Sequence, residues 1–75
     1  MRANVRERSL LTVLTVRQLE VIEGMANGMA DKEIAAALGI SETAVRMHVR
    51  AAEERLHARS RPEATARAVR QGLIA

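Results

Sequence analysis

Seventy-five residues carrying a formal charge of +3, with no cysteine and no aromatic residue, leave room for one small domain without disulfides or thiolate metal sites. A chain this short buries only roughly 60% of the surface it exposes when unfolded, and its core must be built from Leu, Ile, Val, Met and Ala, which suits helices packed on helices better than a strand sandwich. A reducing cytoplasm is compatible with the composition, and the lack of aromatic rings argues against a single-strand nucleic-acid binder that stacks bases.

Residues 1–13 open with MRANVRER, which has no clear period and is expected to form an N-terminal arm or linker ahead of a domain over residues 14–75. The LLTVLTV run imitates a signal peptide, but its seven residues lack a small-residue cleavage site and lead into Arg17. Spanning a bilayer takes about 20 apolar residues, so neither export nor insertion is expected, and no membrane partner.

Thr15-Val16-Arg17-Gln18 fits a capping box, with Leu14 and Leu19 as its hydrophobic staple, and so opens the first helix. Val21, Ile22, Met25 and Met29 supply an apolar stripe, and Asn27-Gly28 marks the end, with Gly28 as a left-handed cap. The methionines read as core filler rather than a metal or cofactor site. Gly24 lies inside this helix at a cost of up to about 1 kcal/mol relative to Ala, and close helix packing is the reason expected for it.

The second helix is predicted near Asp31 to Leu38. Ala30 stands at its N-cap without a capping side chain, and Asp31 and Glu33 compensate through the helix dipole. Lys32 projects from this first turn with the reach to touch a phosphate. Gly39-Ile40-Ser41 then interrupts the pattern: the glycine can take φ > 0, and the serine can cap the next helix. A small residue at Ala35, a turn glycine four later and β-branched Val45 six after that form the helix-turn-helix pattern, whose second helix is shaped for a DNA major groove.

About 100° of rotation per residue gathers Val45, Val49, Ala52 and Leu56 on one side of the third helix and Thr43, Arg46, Met47 and Arg50 on the other. Two arginines one turn apart have the reach for guanine N7 and O6, and Met47 offers apolar contact to a thymine methyl. From Arg46 to Arg61 five arginines stand against Glu53 and Glu54, a balance that favours a polyanionic partner. His48 falls at the boundary of the two faces, and neither it nor His57 has a nucleophile or metal-ligand partner at a recognisable spacing. No Ser/His/Asp, paired-carboxylate or phosphate-loop constellation appears, so neither enzyme activity nor a cofactor is expected.

After a turn over 57–59, a fourth helix is predicted from Ser60 or Arg61, its cap open to a one-residue shift because Pro62 disfavours helical angles at Arg61. Ala64 and Ala68 face inward, Pro62, Ala66 and Val69 outward, and Gly72 closes the helix before a Leu73-Ile74 tail. The outward strip is either plain surface or the place where a second copy docks, forming a homodimer.

From Leu14 to Ile74 the sequence resembles the LuxR/FixJ-type DNA-binding domain of bacterial transcription regulators. The matching pieces are Leu14-Thr15, Arg17, Glu20-Val21-Ile22, Gly28, Lys32-Glu33-Ile34-Ala35, Leu38-Gly39-Ile40-Ser41-Glu42, Val45-Arg46-Met47-His48-Val49, Leu56, Arg61, Glu63-Ala64 and Gly72-Leu73-Ile74. The resemblance implies an all-α, four-helix domain with its third helix in the major groove of double-stranded DNA and its fourth supporting dimerisation. It implies base contacts from Arg46, Met47 and Arg50, and phosphate contacts from Lys32, Thr43, Arg59 and Arg61. Gln18 departs from the usual glutamate, Ala30 from a common capping serine and Ala44 from a common threonine.

Two other readings stay open on sequence alone. Region 4 of bacterial sigma factors has a similar K-E-I-A-x-x-L-G-I-S pattern, although His48 and the segment from Ser60 to Ile74 favour the LuxR type. A protein-interaction module, docking through its fourth helix onto RNA polymerase or another regulator, is the alternative from a different class.

Overall fold

The computed structural model describes residues 14–74, which contain four α-helices and no strand. The arm expected over residues 1–13 lies outside the described residues. The helices are α1 (Val16–Ala26), α2 (Asp31–Leu38), α3 (Glu42–Arg55) and α4 (Arg61–Arg70). The all-α expectation holds.

Side chains fix most of the helix starts. Thr15 Oγ1 accepts from Gln18 N–H at 3.1 Å while Gln18 Oε1 accepts from Thr15 N–H at 3.0 Å, completing the expected box. Ser41 Oγ accepts from Ala44 N–H at 3.0 Å and Ser60 Oγ from Glu63 N–H at 3.2 Å, so the α4 cap stays on Ser60, with Pro62 inside the first turn. Ala30 has no oxygen to offer. At α2 only the reciprocal half of a capping box is made, with Glu33 Oε1 accepting from Ala30 N–H at 2.8 Å.

Each helix ends at a residue with positive φ: Gly28, Gly39, His57 and Gly72. At Gly39 (φ 67°) a side chain would meet nothing within 4 Å, so glycine is required there by the backbone alone. The left-handed step lets Ile40 N–H return to Ala35 O at 3.0 Å and swings the chain from α2 into α3 within three residues. His57 does the same work for α3 without being glycine: at φ 56° its N–H reaches Glu54 O at 3.2 Å and the next, Ala58 N–H, reaches Glu53 O at 2.8 Å.

Two apolar clusters share α3. Val45 and Val49 pack with Val21, Ile34 and Ala35, which locks α2 and α3 over α1. Ala52 and Leu56, further along the same stripe, pack with Leu14, Leu19, Ile22, Ala64, Ala68, Leu73 and Ile74. Met25 touches both clusters, and Met29 the first, as filler. The Leu73-Ile74 tail is part of the core, and each such buried aliphatic side chain contributes about 1.5–3 kcal/mol. With its whole apolar stripe committed inward, α3 presents only polar and flexible side chains outward.

Candidate nucleic-acid interface

The outward side of α3 is a surface assembled by helical periodicity. Thr43, Arg46, Met47 and Arg50 are all exposed, and together they line one shallow depression of about 210 Å³. Met47 is 66% exposed, an unusual position for a large apolar side chain. Arg46 Nη2 lies 3.4 Å from Thr43 Oγ1, a long hydrogen bond that leans the guanidinium toward the N-terminus of α3. Two cationic forks, one hydroxyl and one thioether methyl thus share one helix face. That combination can donate to acceptor edges, touch a methyl group and approach phosphates.

Around this face the remaining sequence-predicted residues divide. Lys32, the only lysine of the sequence, is exposed in the first turn of α2, and Arg59 is exposed in the turn ahead of α4. His48 is half-buried at the boundary, as its rotation requires. Arg61 is already engaged. Its Nη1 donates to Asp31 Oδ1 at 2.6 Å and its Nη2 to Asp31 Oδ2 at 3.0 Å. This fork holds the Asp31 carboxyl below its ordinary value, against partial burial and with some help from the charge of Arg46, and raises the already high Arg61. Sequence reasoning gave Asp31 only to the helix dipole and did not foresee the pair; two opposite charges 30 residues apart leave no periodic signal.

On α4, Pro62, Ala66 and Val69 are exposed, Val69 to 44%, while Ala64 and Ala68 are fully buried. An open groove of about 530 Å³ runs between α1 and α4, lined by Met25, Met29, Pro62, Thr65 and Ala66 among others. Among the described residues no group of three or more His, Cys, Asp or Glu side chains is placed to hold a metal, and no helix is long and apolar enough to cross a membrane.

The family model described as GerE, bacterial regulatory proteins of the luxR family, matches residues 12–68. The chain belongs to that family. Among curated relatives, the nitrate/nitrite response regulator protein NarP of Escherichia coli (strain K12) is 42% identical over 59 residues, covering 79% of this chain and 27% of that protein. The glycerol metabolism activator of Pseudomonas putida is 44% identical over 55 residues, covering 73% of this chain and 25% of that protein. The chain thus spans about a quarter of the length of these relatives. The solved structure of the transcription factor GerE superposes with a TM-score of 0.82 at 28% identity, covering 85% of this chain and 96% of that one. Fold and sequence together are those of the DNA-binding domain of luxR-family transcription regulators, which settles the choice against a sigma-factor region 4.

Proposed function

We propose that this chain binds a specific double-stranded DNA site as part of a bacterial transcription regulator, with α3 lying in the major groove. The observation that carries the reading is the depression lined by Thr43, Arg46, Met47 and Arg50. Arg46 and Arg50 match the acceptor pair of a guanine, and Met47 matches a thymine methyl. Lys32, Thr43 and Arg59 supply phosphate contacts that fix register, and Arg61 takes the part described below. The reading needs no cofactor, and it places the chain with the bacterial chromosome in the cytoplasm.

Dimerisation on DNA is the second half of the proposal. Pro62, Ala66 and Val69 offer a strip of small apolar residues that a second copy can meet about a two-fold axis. Two copies related in this way read half-sites about 10 base pairs apart. Selecting duplexes from a random pool, then titrating the chain against the selected and a scrambled duplex across a salt series, tests both halves. The expected result is a roughly palindromic site, bound with an affinity that falls by about 0.9 in log K per log unit of salt for each neutralised phosphate. Absence of binding to any duplex at low salt, with retained association to RNA polymerase or another regulator, would replace this reading by the interaction-module one.

A further inference from the structure

The Asp31–Arg61 pair joins two helices that do not otherwise approach each other: no Cα of α2 comes within 8 Å of any Cα of α4. Its two ends differ in how well they are held. Arg61 opens α4, where Ser60 caps the helix, Pro62 stiffens the first turn, and Ala64 and Ala68 are fully buried. Asp31 opens α2, an eight-residue helix whose N-cap is an alanine without a capping oxygen. The weakly secured first turn of α2 is also the turn that carries Lys32.

Resting on the DNA-binding reading above, we propose that Arg61 is a positioning residue: its fork on Asp31 ties the start of α2 to α4 and, through Ile34 and Ala35, which pack on Val45 and Val49, sets the angle at which α3 presents its outward face to base edges. The pair has a second consequence. It neutralises a carboxylate that would otherwise stand beside the DNA-facing cations, where the charge of Arg46 is already felt by Asp31. The two terminal guanidinium nitrogens each donate to the carboxylate, at 2.6 and 3.0 Å, so the face of the fork is turned to the protein. The sequence expectation of an Arg61–phosphate contact gives opposite results in the test.

The test measures affinity of the full chain for the selected and the scrambled duplex across salt, for Arg61→Gln, Arg61→Lys, Asp31→Asn and the swap Asp31→Arg with Arg61→Asp, each checked for helix content. On the positioning account Arg61→Gln and Asp31→Asn both weaken the selected duplex by about threefold to fivefold with little change on the scrambled one and an unaltered salt slope. Arg61→Lys recovers only part of the loss, because an ammonium cannot fork, and the swap regains most of it. The swap also decides the matter if a single variant is partly unfolded. A salt slope reduced by about 0.9 in Arg61→Gln, with full rescue by lysine and tighter binding by Asp31→Asn, would make Arg61 a phosphate ligand and overturn the proposal. Equal losses on both duplexes, or a swap that regains nothing, would overturn it as well. A wild-type chain that binds no duplex fails earlier, at the function itself.

Discussion

Gly24 of α1 lies so close under Ile34 of α2 that a methyl group on Gly24 would stand 2.9 Å from Ile34 Cγ1 and 3.2 Å from Cδ1. The glycine is therefore there for the crossing of two helices and not for a turn. Alanine would gain about 1 kcal/mol in helix propensity but must displace a β-branched side chain that is stiff in a helix, and overpacking of this kind costs about 1–3 kcal/mol. Gly24→Ala is expected to lower stability by about 1 kcal/mol. In an Ile34→Ala background, itself destabilised by about 2–5 kcal/mol, the same change should become stabilising. Urea denaturation of the four proteins of this cycle gives the coupling directly, and additive effects would mean that the two side chains do not meet.

That relationship marks where the sequence stops being legible. Rotation of 100° per residue was enough to place Thr43, Arg46, Met47 and Arg50 on one side of α3, because periodicity alone decides which face a residue occupies. Thr15, Ser41 and Ser60 announced three helix starts through local side-chain chemistry, and Gly39 announced the turn. Which partner Gly24 meets, and which charge Arg61 finds, depend on the angle between helices, which no local pattern encodes. His57 escaped for a different reason: it occupies the left-handed position where glycine is the usual sign, and positive φ is uncommon for any other residue. The Leu73-Ile74 tail is apolar in sequence but carries no sign of its destination in the core, since one residue pair has no period.

Ala30 has φ −76° and ψ 160°, nearly the backbone of Ser41 at −78° and 159°, yet it contributes no capping bond. A serine hydroxyl placed there would accept from Glu33 N–H and complete a box whose other half, the 2.8 Å bond from Ala30 N–H to Glu33, already exists. Ala30→Ser is expected to stabilise the domain by about 1 kcal/mol. The midpoint in urea should rise at constant slope, and an unmoved midpoint would show that the cap is already replaced by solvent.

The Asp31 carboxyl lies below its ordinary value of 3.8, first because Arg61 hydrogen-bonds to it, against partial burial, and then through the charges of Arg61 and Arg46. The unfolded chain therefore takes up this proton at higher pH than the folded one. The stability contributed by the pair is complete well above 3.8 and is lost as pH falls below that value through the folded one. With the Arg61 side chain 42% exposed, solvent screening holds the contribution to about 1 kcal/mol or less. Stability of wild type and Asp31→Asn, measured from pH 6 down to pH 2.5, should differ by a constant amount above about pH 5 and converge in acid. A difference that ignores pH would mean that the carboxylate charge plays no part.

Arg50 and Lys32 separate reading from holding. Arg50 projects from the exposed side of α3 beside Met47, where a bidentate contact to guanine is geometrically open, so Arg50→Ala should cost about 1–3 kcal/mol on the selected duplex and relax preference at one base position. Lys32 stands exposed in the first turn of α2 and does not line that depression, so Lys32→Gln should weaken every duplex alike and lower the salt slope by about 0.9. The composition offers an independent check: with no second lysine in the sequence, acylation of side-chain amines reports on this position alone. Bound DNA, selected or scrambled, should slow that acylation, because a phosphate contact is indifferent to base sequence. Protection by the selected duplex only would move Lys32 from the backbone to the bases, and equal losses on both duplexes from Arg50→Ala would move Arg50 the other way.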